Sequence, residues 1–221
     1  MNTKRGEKTA ELIRTVACDL FYRQGFQATA LRDLAQRVGI QVGSLYNHIE
    51  SKQNLLFEIM ETVMLDLLAE QREVSHTSDV VERLRLLVYG HVRFHGQRAR
   101  EVFIGNSELR SLGREQRARM VDLRREYEMI FRDVLADGIE QGSFVPIDVP
   151  TTAYGILAMT SWVSTWYSAH GRLSLDDVAE IYAGLVLRGI GDPRVGRVGT
   201  RGTRDQDRAR EVSAASARKQ R

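Results

Sequence analysis

Cysteine is almost missing from this chain: Cys18 is the single one among 221 residues. An internal disulfide is excluded, and the usage suits a reducing cytoplasm. With no second cysteine to resolve an oxidised one, Cys18 reads as a small buried residue of the first helix and not as a redox sensor. Proline is as scarce, with three residues; Pro146 and Pro150 mark a loop, and Pro193 closes the last helix. No run alternates with period two for long enough to make a strand, so the expected fold class is all-α. No apolar core follows the N-terminal basic residues, so no secretory leader is visible. From Val149 to Gly171 there is no Asp, Glu, Lys or Arg, a length that could span a bilayer. Its many Thr and Ser residues weaken the hydropathy, so a buried or interface helix is the better reading and no membrane partner is expected. Nucleophile elbow, phosphate-binding glycine loop and CxxC pair are all lacking, so an enzyme reading has nothing to rest on. A net charge of only +3 excludes attachment to nucleic acid by bulk charge alone.

What is present is organised around residues 29–52. Leu31, Leu34, Ala35 and Val38 follow helical spacing, and Gly39 ends that short helix in a left-handed turn. A second short helix is expected over residues 43–49, anchored by Leu45 and Ile49. Two helices joined by a short glycine-containing turn make a helix-turn-helix, whose second helix enters the DNA major groove. Gln41, Val42, Ser44, Tyr46, Asn47 and His48 are left to project outward, with amides for base edges, hydroxyls for phosphates and an apolar group for a thymine methyl. Gly43 and Ser44 are small enough for close approach. Ser51 is a good N-cap for the following helix. Lys52 then sits at the wrong end for the helix dipole, a placement that a DNA phosphate would explain.

The series Phe21, Gly25, Phe26, Ala28, Thr29, Arg32, Asp33, Leu34, Ala35, Gly39, Ile40, Gly43, Ser44, Leu45, Tyr46, His48, Lys52 and Leu55, in this spacing, resembles the N-terminal domain of TetR-type transcriptional regulators. The resemblance implies phosphate contacts for Tyr46, His48 and Lys52. It implies shared base and phosphate contacts for Arg32, Gln41, Val42, Ser44 and Asn47. Three positions depart from the family pattern. Ala30 stands where a capping Thr or Ser is usual, with Thr29 as a substitute; Gln41 replaces a capping Ser; and Ile49 replaces a Phe. Thr29 and Gly43 complete the expected DNA-contacting set.

Residues 1–8 read as a basic arm, followed by a first helix with Ile13, Val16, Ala17, Leu20 and Phe21 on one face. A helix from Lys52 to about Glu73 connects the DNA-reading part to the rest. Val80, Leu84, Leu87, Val88, His91 and His95 continue a stripe. A long helix over residues 114–141 turns Met120, Leu123, Tyr127, Ile130, Phe131, Val134 and Leu135 inward. The uncharged helix follows, and Ser174-x-x-Asp177 forms a capping box for a last helix burying Val178, Ile181, Tyr182, Leu185 and Val186. His91 and His95 share a face, but Val92 stands where a HExxH zinc site needs Glu and no third ligand is evident, so no metal and no cofactor are expected.

The aromatic, Met-rich inner face suits a pocket for an apolar ligand, with His91, Phe94, His95, Phe103, Tyr127, Phe131, Trp162 and Trp166 as its lining. Arginines crowd residues 93–125. Interspersed acids make a solvated face of ion pairs one reading, and phosphate binding at a pocket mouth is another. Trp162 to Tyr167, with Gly171 to Ser174, is similar to TetR-type regulators of fatty-acid and steroid breakdown that answer to acyl-CoA thioesters. The expected layout is a helix-turn-helix domain over residues 1–66, a ligand-binding and dimerisation domain over 67–192, and a disordered basic tail over 193–221. The tail carries nine Lys or Arg against three acids from residue 194 onward. The expected function is a cytoplasmic repressor that binds palindromic double-stranded operator DNA as a homodimer through its last two helices and is released by a small hydrophobic or acyl-CoA effector. The alternative is an architectural DNA-binding protein without a ligand, disfavoured because some 120 residues of amphipathic helix exceed what a dimerisation hairpin needs.

Overall fold

The structure, a computed structural model, describes residues 3–191. The basic tail over 193–221 lies outside the described residues. The fold is all-helical, and no strand forms among the described residues. Three helices make the N-terminal part: α1 (Thr3–Gln24), α2 (Leu31–Val38) and α3 (Val42–Leu45). The larger part holds α4 (Lys52–Ser75), α5 (Val80–Gln97), α6 (Ala99–Ser107), a short 3-10 turn at Leu109–Ser111, α7 (Arg114–Glu140), α8 (Val149–Ser161), α9 (Val163–Trp166) and α10 (Leu175–Gly191).

Sequence chemistry explains most helix ends. Gly39 takes φ 79° and its N–H reaches back to the carbonyls of Ala35 and Gln36, closing α2 as a left-handed cap does. Ser51 Oγ accepts from the Asn54 N–H and opens α4. Asp79 and Asp148 cap α5 and α8 in the same way. Ser174 and Asp177 bond reciprocally at the start of α10, the capping box read from the sequence. One close approach depends on a missing side chain: a Cβ at Gly138 would lie 2.0 Å from the buried ring of Phe144.

Several expectations are corrected. The basic arm is helical from Thr3 onward. Pro150 does not mark a loop; it occupies the first turn of α8, where its missing N–H costs nothing. The recognition helix runs from Val42 to Leu45 and then continues as turns through His48, whose N–H, like that of Asn47, reaches back three residues. The uncharged stretch is not one helix: α8 ends at Ser161, α9 is four residues long, and a loop follows Tyr167. The Thr and Ser hydroxyls there bond backward to carbonyls three or four residues earlier, an alternative to the helix ladder that favours bending. No helix of the described residues is long and apolar enough to cross a membrane.

A continuous core runs from Ile13, Phe21 and Leu34 through Leu55, Leu56 and Met60 of α4 into Leu84, Leu87, Phe131 and Leu135. α4 therefore belongs to both parts. Its first residues adjoin the helix-turn-helix, and its middle packs on α5, α6 and α7.

Candidate DNA-reading surface and effector cleft

α2 and α3 present one exposed surface. Arg32, Gln41, Val42, Gly43, Ser44, Tyr46 and Asn47 are exposed, and His48 is half-buried. Val42 and Tyr46 are large apolar side chains left in solvent while Leu45 and Ile49 between them are buried. Gly43 has an ordinary backbone conformation, and a Cβ there would meet nothing within 4 Å. The fold itself therefore does not require glycine at that position; an external surface that comes close would.

Two members of the expected DNA-contacting set sit elsewhere. Thr29 is 2% exposed. Its hydroxyl donates to the Gly25 carbonyl at 2.8 Å and accepts from Gln24 Nε2 at 3.2 Å. It does not cap α2, whose N-cap Ala30 has no side-chain bond. Lys52 Nζ donates to the carbonyls of Phe26 at 2.8 Å, Thr29 at 2.9 Å and Gln27 at 3.3 Å, and lies 4.5 Å from the centre of the Phe26 ring. An ammonium has three donors, and all are used within the chain. From the start of α4 the lysine thereby ties down the α1–α2 loop.

The larger part contains a narrow cleft of about 50 Å³ between α4, α5, α6 and α7. Its apolar walls are Met60, Val63, Met64 and Leu67 of α4, Phe94 of α5, Val102 of α6 and Met120 of α7, and His95, Glu101, Asn106 and Arg124 are the polar lining. Of the expected pocket residues, only Phe94 and His95 line it. His91, Tyr127 and Phe131 form the buried wall behind it: His91 Nδ1 is 2.6 Å from the Tyr127 hydroxyl and its Nε2 is 3.1 Å from Ser161 Oγ. His95 stacks on His91 with ring centres 3.8 Å apart. Burial, reinforced by His95, holds His91 well below the usual histidine range. Burial pushes His95 down to about 4. No three His, Cys, Asp or Glu side chains converge as a metal site among the described residues.

Phe103, Trp162 and Trp166 do not line the cleft. Phe103 is 43% exposed and packs edge-on against Tyr22 of α1. Trp162 is 67% and Trp166 48% exposed. Sequence reasoning missed the α4 wall. Met60, Val63 and Leu67 were legible as an apolar stripe, but nothing local says whether a stripe meets a plug or a space.

The arginines divide. Arg93, Arg98, Arg100, Arg119 and Arg125 are paired with carboxylates. Arg124 alone lines the cleft, and its Nη2 donates to the Gly105 carbonyl at 2.7 Å; burial lowers its pKa. Cys18 is buried, and its thiol is pushed up to about 12 by burial and then by Glu101, so thiolate chemistry is suppressed.

An exposed helix-turn-helix joined through α4 to a larger helical body that holds a narrow cleft has the layout of a DNA-binding regulator. Residues 13–59 match the family described as bacterial regulatory proteins, tetR family, and residues 77–190 match the tetracyclin repressor-like C-terminal domain. The chain belongs to the TetR family of transcriptional regulators. It is similar to the HTH-type transcriptional repressor KstR2 of Rhodococcus jostii, 34% identical over 86% of this chain and 94% of the relative. KstR2 of Mycobacterium tuberculosis is 32% identical over the same shares. The solved structure of that ketosteroid transcriptional regulator has a TM-score of 0.78 at 30% identity, covering 84% of this chain and 95% of its own. AibR in complex with isovaleryl coenzyme A and operator DNA gives 0.73 at 28% identity, covering 80% and 97%.

Proposed function

We propose that the protein is a cytoplasmic, non-enzymatic transcriptional repressor that binds palindromic operator DNA as a homodimer and is released by a hydrophobic effector, with acyl-CoA thioesters as the favoured class. The observation that carries this reading is the double duty of α4. Its N-terminus is bonded to the helix-turn-helix through Lys52, and its Met60, Val63, Met64 and Leu67 wall the cleft. At about 50 Å³ the cleft holds only a few waters, so a larger guest must push its walls apart. Three of those walls are methionines, which repack readily. Displacing α4 moves the recognition helix, and the effector acts to the extent that it favours the displaced state. Arg32 and the exposed 41–48 segment are the base- and phosphate-reading residues in this reading.

Support for the dimer comes from surface chemistry. Tyr154, Trp162 and Trp166 along α8–α9, with Ile181 and Leu185 on α10, are large apolar side chains left in solvent. Ile181 and Leu185 were expected on the buried face of α10; that face is instead Val178, Ala179, Ala183, Val186 and Ile190. Pairing two copies across α8 and α10 covers both sets with one isologous patch and sets the half-sites roughly 34–36 Å apart. The acyl-CoA class is supported by the AibR complex and by Arg124, a guanidinium lining the cleft that has no carboxylate partner among the described residues. The domain layout in this reading is 1–66 for DNA and 67–192 for effector and dimer.

The test is to select an operator from a random duplex library and titrate the complex with acyl-CoAs, the matching free acids and free CoA. Release by thioesters alone is the expected result. Release by an uncharged hydrophobe and by no thioester removes the phosphate-binding arginine from the reading. A complex unmoved by every hydrophobe leaves the architectural protein.

A further inference from the structure

His95 carries information about the guest, given that the cleft is the effector site. Its Nδ1 lies 2.9 Å from the backbone carbonyl of His91. A carbonyl only accepts, so Nδ1 carries the proton. The ring is neutral, because burial holds its pKa near 4. A neutral imidazole has one N–H, and Nε2 is therefore a bare acceptor. No described residue donates to it. It is not among the sealed unpaired polar atoms of the described residues, and the side chain as a whole is 6% exposed, so its access is to the cleft that His95 lines. The ring cannot easily turn away: it is stacked on His91, which is itself pinned between Tyr127 and Ser161. Met60, Met64, Phe94, Val102 and Met120 make the apolar part of the lining, and Glu101, Asn106 and Arg124 its polar part.

We infer that the cleft selects an apolar effector bearing a hydrogen-bond donor, a hydroxyl or N–H, placed against His95 Nε2, and disfavours the ketone or ether that presents only a lone pair there. An acceptor facing an acceptor leaves both unpaired when the guest displaces the water between them, which is how a polar site rejects an otherwise isosteric ligand. His95 is thus a specificity-determining residue.

The test uses decan-1-ol, its methyl ether and decan-2-one as probes on the full chain, with binding read by calorimetry and the His95 ring followed in protein labelled with 15N-histidine. The expected result is about 10-fold tighter binding of the alcohol, a shift of the His95 Nε2 resonance with the alcohol alone, and loss of the preference in His95→Phe. The comparison on the parent protein stands even if the variant fails to fold. Equal affinities for the three probes overturn the inference while leaving the cleft as the effector site. An alcohol preference that survives in His95→Phe overturns it too, since another group then meets the hydroxyl. Failure of all three probes to bind overturns the inference and the effector site together.

Discussion

Replacing Lys52 with Met separates two accounts of the same residue. Its ammonium holds three carbonyls at 2.8, 2.9 and 3.3 Å, and the group is half-buried. Hydrogen bonds to a charge contribute about 1.5–3 kcal/mol each when well formed. Solvent screening and the remaining hydration of loop carbonyls reduce the sum, leaving a net cost on the order of 2 kcal/mol. In a chain of this size that lowers Tm by about 4–8 °C. Because no proton of the ammonium is left for a phosphate, the slope of log affinity for operator against log salt stays parallel to the parent's. A phosphate contact would instead change that slope by about one unit. Scanning fluorimetry gives Tm, and fluorescence anisotropy at four salt concentrations gives the slope. An unchanged Tm with a slope flattened by about one unit refutes the structural role and returns Lys52 to the phosphate backbone.

Two further outcomes are expected. His91 and His95 are neutral in the fold with pKa values lowered by burial, whereas the unfolded chain takes up their protons near 6.5. Stability therefore falls as pH drops below about 6.5, and His95 accounts for roughly 3 kcal/mol of that loss by pH 4. Urea unfolding at pH 7, 6 and 5 should show the fall, smaller in His95→Phe; a parent equally stable at all three values contradicts the burial of both rings. Leu185→Glu places a charge in the exposed apolar face of α10 and is expected to give a folded monomer with operator affinity reduced at least 10-fold. Sedimentation velocity checks this, and a persistent dimer moves the interface elsewhere.

The helical class, the helix-turn-helix and most caps were legible in the sequence, because they depend on chemistry within a few residues. Gly39, Ser51 and the Ser174–Asp177 box act on their own neighbours. What is not legible is a partner that lies beyond the local pattern. Thr29 and Lys52 bond to carbonyls of the α1–α2 loop, and loop carbonyls leave no mark in a sequence. Trp162 and Trp166 suit a pocket by residue type, yet both are exposed, because which face of α8 and α9 is covered is decided by the distant helices they pack against. His91 and His95 were placed on the apolar stripe by spacing alone. Which of them meets the cleft depends on Tyr127 and Ser161, 36 and 70 residues away from His91.

Asp19 of α1 accepts from Arg23 on its own helix, Arg37 in α2 and Arg100 in α6. One carboxylate thus faces three guanidiniums drawn from both halves of the molecule. If α6 drifts away with Arg100, the carboxylate keeps two partners and is never stranded. Most contacts between halves grow costly to part because each side is left with nothing to hold. Here the DNA-reading half is always supplied, and only Arg100, exposed enough to be solvated, goes free. Such a joint would act like a clutch with one driven plate, transmitting position while engaged and parting without leaving a carboxylate unpaired.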